Sequence, residues 1–313
     1  MGSNPIGPKK DLNPFGFESY RIKSQESDSF LFWKKGLKVY LSHIKVGEIM
    51  KKQLTLMAGV FLLLLPLVNS VELMPHTVVP SGVIVAVPPI AGEKSPVLEV
   101  ITIIHYKEGF GKPPWAGGGK GEVKCYGFIS KGAKLINTED FYINPTNSGL
   151  SGSEVLNSIS TSAETWDSQT SEELFGTYTQ DGSADFDSPY YPDGKNEVSF
   201  GDYTTEGVIA VTRIWGYFSG SPSQRYINQF DIMFDTDYTW GSCSGIETTC
   251  FDNKIMDLKN IATHEIGHGA GLADVYETSC SEVTMYGYST YGETKKITLA
   301  PQDIAGLQEM YGL

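Results

Sequence analysis

Two histidines four residues apart, His264 and His268, enclose a glutamate in the stretch His264-Glu265-Ile266-Gly267-His268. On a helix, residues four apart lie on one face, one turn above the other. The two imidazoles can therefore reach one metal ion, with Glu265 beside them to hold a water. Zinc takes nitrogen and oxygen ligands at about 2.0–2.2 Å and keeps a water position open in catalytic sites. A histidine pair around a glutamate is the arrangement used to hydrolyse peptide bonds. The stretch continues Gly269-Ala270-Gly271-Leu272-Ala273-Asp274, so the whole reads H-E-x-x-H-x-x-G-x-x-D. Gly271 can adopt a left-handed backbone and end the helix sharply. The chain can then turn back and bring Asp274 to the same metal as third ligand.

A bare H-E-x-x-H also arises by chance, from two ordinary surface histidines. Here Gly271, Asp274 and Met285 fall where a metal site needs them. Ile255, Leu258, Ile261, Ala262 and Ile266 draw an apolar stripe at helical spacing ahead of and through the motif. The extended motif, followed by Ser281-Glu282-Val283-Thr284-Met285-Tyr286, resembles the metzincin metallopeptidases and their methionine turn. Most metzincins have histidine where this chain has Asp274; aspartate there resembles the snapalysin-type branch. Leu299 to Gly312 resembles the closing helix of matrixin-like domains. Tyr142-Ile143-Asn144-Pro145, with the helix ending at Trp166-Asp167, resembles their opening strand and first helix.

The resemblance implies an α+β fold of the zincin type. Its parts are a twisted mixed sheet of about five strands, two long helices, and a C-terminal subdomain after Gly271 that ends in a third helix. It implies a zinc endopeptidase acting on peptides or proteins, with Zn2+ held by His264, His268 and Asp274. Glu265 would be the general base, and Met285 an apolar floor without a bond to the metal. Some metzincins carry a tyrosine two residues after that methionine; here the place is Gly287, leaving Tyr286 and Tyr288 as candidate transition-state donors. Phe230–Phe234 resembles the edge strand that, in this family, pairs with an extended substrate. Two other classes remain open: a non-catalytic binding module stabilised by zinc, and a membrane-anchored surface protein with the same domain. Retention of Glu265 speaks against the first, since a structural site needs no base.

The elements that must position these residues lie in a chain of 313 residues, 40% hydrophobic. Lys51-Lys52 followed by the uncharged run Leu54–Val68 reads as a signal peptide over residues 50–70, shorter than the roughly 20 residues of a spanning helix. A membrane contact is expected only if that run is an uncleaved anchor. Residues 1–49 show no periodic core pattern. They read as an upstream extension, with Met50 the true start, or as a short cytoplasmic tail carrying Lys34, Lys35, Lys38 and Lys45. Residues 71–135 read as a linker or pro-segment, Pro-rich to residue 97, and 136–313 as the catalytic domain. Of 24 basic and 37 acidic residues, 10 and 5 lie before residue 71, so the rest carries a net charge of −18. Such acidity excludes nucleic acid as a partner. The expectation is a secreted monomer.

Within the later region, Leu98–Tyr106 reads as a β-strand and Gly109–Gly121 as a Gly/Pro loop. His105, alone at the strand's end, reads first as structural, with a pro-segment group near the metal as the alternative. Ser151 and Glu154 form a capping-box signature ahead of Val155, Leu156, Ile159, Ala163 and Trp166. Val208–Thr212 reads as a short apolar strand. Residues 181–202 read as a loop bearing Asp181, Asp185, Asp187, Asp193, Asn196, Glu197 and Asp202. It suits a solvated acidic surface or a structural Ca2+. The four cysteines after the putative signal are even in number, which favours disulfides. Cys243 and Cys250 bracket a short loop, leaving Cys125 with Cys280. In matrixins a pro-segment cysteine can instead cap the zinc, and Cys125 stands where such a residue would, although its neighbours depart from that motif and Cys280 would be orphaned.

Overall fold

The computed structural model describes residues 82, 84–86, 97–111 and 124–313. The expected upstream extension and signal peptide, and nearly all of the Pro-rich stretch, lie outside these residues. Among the described residues, no helix is long and apolar enough to cross a membrane. The strands, in chain order, are β1 Ile84–Ala86, β2 Glu99–Lys107, β3 Gly127–Phe128, β4 Glu139–Ile143, β5 Phe175–Gln180 and β6 Asn196–Gly201. They continue with β7 Val208–Tyr217, β8 Tyr226–Asp235, β9 Thr239–Gly241, β10 Ile255–Asp257, β11 Leu272–Ala273 and β12 Tyr288–Ser289. The helices are α1 Gly152–Asp167, α2 Glu247–Asp252, α3 Leu258–Gly269 and α4 Pro301–Tyr311.

The expected mixed α+β architecture is present. The main sheet runs β1-β2-β7-β8-β6-β4-β5, and β12 joins it on β2 as an eighth strand. The roughly five strands expected from the family correspond to β4–β8; the sheet continues past them because β2 adds to the free side of β7. β7 pairs antiparallel with both β2 and β8, whereas β4, β5, β6 and β8 associate in parallel. Phe230–Phe234 therefore does not form an edge: it is the centre of β8, flanked by β6 and β7. Its almost unbroken apolar run is what a strand covered on both faces requires. The expected loop over 181–202 also needs correction, since β6 occupies Asn196–Gly201 and buries Glu197.

Helix α1 begins as its sequence dictates. The Ser151 hydroxyl accepts from Glu154 N at 3.2 Å, and Glu154 returns a bond to Ser151 N at 2.9 Å. Val155, Ile159, Ala163 and Trp166 recur at helical spacing and are fully buried against the sheet and α3. Trp166 donates its indole N–H to Thr263 O at 2.8 Å, locking the two long helices together. Helix α3 starts at an Asp257 cap, whose carboxylate accepts from Asn260 N at 2.8 Å. Ile255 lies ahead of it in β10, so the apolar stripe begins outside the helix. α3 is buried on every side rather than along one stripe. It ends where Gly271 takes φ +102°, and a Cβ there would stand 2.4 Å from Ala133 O.

Cys125 is bonded to Cys280 and Cys243 to Cys250. Cys125 thus has no free thiol with which to cap a metal.

Candidate metal centre

One turn of α3 separates His264 from His268, and the chain reversal at Gly271 brings Asp274 beside them. The three prospective ligand atoms converge. His264 Nε2 and His268 Nε2 are 3.1 Å apart; Asp274 Oδ1 is 3.1 Å from the first and 3.4 Å from the second. Donors about 2.0–2.1 Å from a tetrahedral zinc stand about 3.3–3.4 Å from one another, so this triangle is nearly the face of a zinc tetrahedron.

The protonation pattern agrees. His264 Nδ1 lies 2.7 Å from Thr284 O, and His268 Nδ1 lies 2.8 Å from Leu272 O. A carbonyl only accepts, so each Nδ1 carries the proton and each neutral ring presents a bare Nε2 to the centre. Asp274 Oδ1 is buried without a hydrogen-bond partner, while Oδ2 accepts from the Tyr276 hydroxyl at 2.8 Å. Three bare acceptors meeting in a dry site repel one another unless a cation lies among them. Each prospective ligand's remote atom is also held, as metal ligands generally require.

The turn at Thr284 and Met285 packs against this centre. Asp303, fully buried in the first turn of α4, accepts from Thr284 N at 2.8 Å, Met285 N at 3.1 Å and Ala300 N at 2.9 Å. Met285 is completely buried, and a Cβ on Gly267 would come within 2.4 Å of its sulfur and 2.7 Å of the Trp166 ring. The glycine between the two histidines is therefore what lets the turn press against the helix backbone.

Glu265 is fully buried beside the triad. Its Oε2 accepts from Thr212 Oγ1 of β7 at 2.6 Å, and its Oε1 lies 2.8 Å from His105 Nδ1 of β2. The far side of His105 meets Lys296, with Nζ 3.2 Å from Nε2. An ammonium only donates, so Nε2 accepts and Nδ1 donates to Glu265. Lys296 also donates to Tyr286 O and Tyr288 O. Burial pushes the Glu265 carboxyl up to about 7, with the Thr212 hydrogen bond acting the other way. Burial likewise draws Lys296 down to about 8 and His105 well below the usual imidazole range.

The motif residues His264, Glu265, His268 and Asp274 are thus brought together, with Met285 beneath them. Of the two candidate tyrosines, Tyr288 packs edge-on against Tyr276 with ring centroids 5.3 Å apart, and Tyr286 lies beside Lys295. The hydroxyl bonded to the ligand set belongs to Tyr276, whose place two residues after Asp274 was the available signal. Thr212 and Lys296 have no local signature in the sequence. His105, read first as structural, lies against Glu265. Elsewhere, Asp185, Asp187 and Glu197 gather on one side of the sheet above a fully buried Asp231, whose carboxyl is raised by burial and by Asp187.

The sequence profile of the matrixin family matches residues 137–312. Stromelysin-3 of Mus musculus is 34% identical over 82 residues, 26% of this chain and 14% of that protein. Metalloendoproteinase 1 of Glycine max is 38% identical over 80 residues, 26% of this chain and 25% of that protein. Neutrophil collagenase of Homo sapiens is 29% identical over 164 residues, 52% of this chain and 30% of that protein. The matches thus span less than a third of each relative's length. Because the family profile takes in more than half of the chain and includes the whole ligand triangle, the chain belongs to the matrixins, a family of zinc metalloendopeptidases.

Proposed function

We propose that the protein is a secreted endopeptidase in which His264, His268 and Asp274 hold Zn2+ and Glu265 is the general base. The observation that carries this reading is the triangle of unprotonated donors at tetrahedral spacing, with a carboxylate beside it. When bound, zinc supplies a Lewis acid that polarises a peptide carbonyl and acidifies water. Glu265, buried beside the triangle with its Oε2 held by Thr212, is placed both to take a proton from the attacking water and to return it to the leaving amine. Thr212 fixes the direction of that carboxylate. Tyr276 holds the spare oxygen of Asp274, so that a single oxygen faces the metal. The two disulfides and the basic-then-apolar segment at 50–70 support export to an oxidising compartment.

The test is hydrolysis of casein or a quenched peptide by the purified chain, intact and after limited proteolysis. Activity should vanish with a chelator and return with zinc. Glu265→Gln should keep the metal and lose at least about a hundredfold in rate, the lower end of what a positioned base contributes. Chelator-resistant hydrolysis, or a Glu265→Gln variant of parental activity, would overturn the assignment. A zinc-loaded chain inert in every form would instead identify a structural zinc module.

A further inference from the structure

Strand β5 ends the main sheet on one side, and among the described residues no strand pairs with its outer edge. Thr177 N turns back to Asp140 Oδ1 at 2.7 Å, and Asp181 N to Ile143 O at 2.9 Å. Successive N–H groups of a strand point to opposite sides, so those of Tyr178 and Gln180 face away from β4, each beside its own C=O. Such a row is a template for one more strand, and edges are commonly blunted by lysine or proline. Phe175–Gln180 has neither. At the start of the same strand lies a cleft of about 350 Å³, lined by Glu164 and Asp167 of α1, Glu172 and Glu173 of the following turn, and Phe175. No lysine or arginine lines it. The last turn of α1 also has no basic residue to offset the negative end of the helix dipole. Burial raises the Asp167 carboxyl to about 6, and Glu164 and Glu173 add to the rise.

We propose that the free edge of β5, with the acidic cleft at its start, docks an extended, lysine- or arginine-bearing segment of a protein substrate. That the docked chain is a substrate rests on the endopeptidase reading above. Main-chain pairing accepts any sequence but requires an extended segment. Charge then selects among such segments. Tyr178 donates to Glu164 Oε1 at 3.0 Å and stacks on Phe141 with ring centroids 5.7 Å apart, so the α1 side of the edge is the acidic one. Side chains of an added strand alternate, and every second one faces those carboxylates. A second copy of the chain would bring the same carboxylates to the edge, and like charges oppose that pairing. The net charge of −18 beyond residue 70 steers cationic chains toward the protein at long range.

The cleft is also fixed relative to the metal helix. Trp166, next to Asp167, donates to the carbonyl of Thr263, next to His264, at 2.8 Å. A segment docked on β5 therefore holds the rest of its chain near α3 and raises its local concentration there. Such binding acts alike on ground and transition states, so it lowers KM and leaves kcat unchanged.

The probe is a short labelled peptide alternating lysine with threonine, titrated into the full zinc-loaded chain carrying Glu265→Gln, which should not cut it. Saturable binding is expected. It should weaken about tenfold when Glu172→Lys and Glu173→Lys are combined, since two attractions become two repulsions. Gln180→Pro removes one outward N–H and should weaken it about fivefold. A fully N-methylated peptide keeps the charge, cannot donate to the edge, and should bind at least about tenfold more weakly. All three substituted positions are exposed, and N-methylation leaves the protein untouched. Absence of saturable binding, or binding that any one of these changes leaves as it was, overturns the inference. With the parent enzyme, a quenched peptide extended by the lysine–threonine sequence should show KM at least about tenfold lower than the unextended one, with equal kcat. Equal KM for the two overturns the docking of substrate while the endopeptidase reading stands. If neither is hydrolysed although zinc is bound, that reading fails, and the titration alone decides whether the edge docks basic segments.

Discussion

Replacing Asp303 with alanine separates the turn that supports the metal from the metal itself. Asp303 touches no prospective ligand, yet it accepts from Thr284 N, Met285 N and Ala300 N. Thr284 and Met285 are fully buried, so Asp303→Ala strands two backbone donors away from water. Each stranded donor costs about 1–3 kcal/mol. The half-exposed Ala300 N–H adds less, and relief of the buried carboxylate offsets part of the sum. The expected loss is about 4 kcal/mol, which for a urea m-value of about 2–3 kcal/mol/M moves the unfolding midpoint down by about 1.5 M. Thr284 also presents the carbonyl that orients His264, at 2.7 Å from Nδ1. Loss of such an outer partner lowers metal affinity about 10–100-fold, measurable by competition with a chromophoric chelator. Asp303→Asn keeps one accepting oxygen and should lose about half as much stability, since hydrogen bonds to a charged acceptor are worth about twice neutral ones. A Asp303→Ala variant within about 1 kcal/mol of the parent would refute the stranded-donor argument. Lost stability with unchanged zinc affinity would break the link from Asp303 through Thr284 to His264.

Three other outcomes are expected. Asp274→Ala should weaken zinc binding by more than about a hundredfold, beyond the 10–100-fold carried by outer partners alone, and Asp274→His should restore part of it; unchanged affinity in the alanine variant removes Asp274 from the ligand set. Gly271→Ala should destabilise by at least about 2 kcal/mol, because φ +102° strains an L-residue and its Cβ meets Ala133 O at 2.4 Å; a neutral result in thermal unfolding contradicts this. Removing the Cys125–Cys280 bridge, with a sequence separation of 155, should cost roughly 5 kcal/mol on the chain-entropy argument, and removing Cys243–Cys250, with a separation of 7, roughly half that. Calorimetry of the two double-serine variants checks the order, and a larger loss from the short loop would refute it.

Much of the centre was legible because its code is local. Four-residue spacing puts His264 and His268 on one face whatever surrounds them. Gly271 announces the reversal that delivers Asp274, Ser151 and Glu154 announce the start of α1, and the parity of the cysteines pointed to both bridges. What the sequence leaves undetermined is which edges and which distant side chains meet. The apolar run of β8 indicates burial on both faces, yet a resemblance placed it at an edge. The β-rich composition of β2 predicts a strand and says nothing of its neighbour, because the N–H and C=O groups that pair strands are the same for every residue but proline. Only the tertiary structure sets β2 between β7 and β12, aims His105 at a glutamate 160 residues away, and ties that glutamate to Thr212. It likewise buries Lys296 behind His105 and Asp303 beneath Met285. Such groups carry no periodic signal, since a single polar side chain in a core is specified by the partners that satisfy it, and those partners come together only when the whole chain has folded.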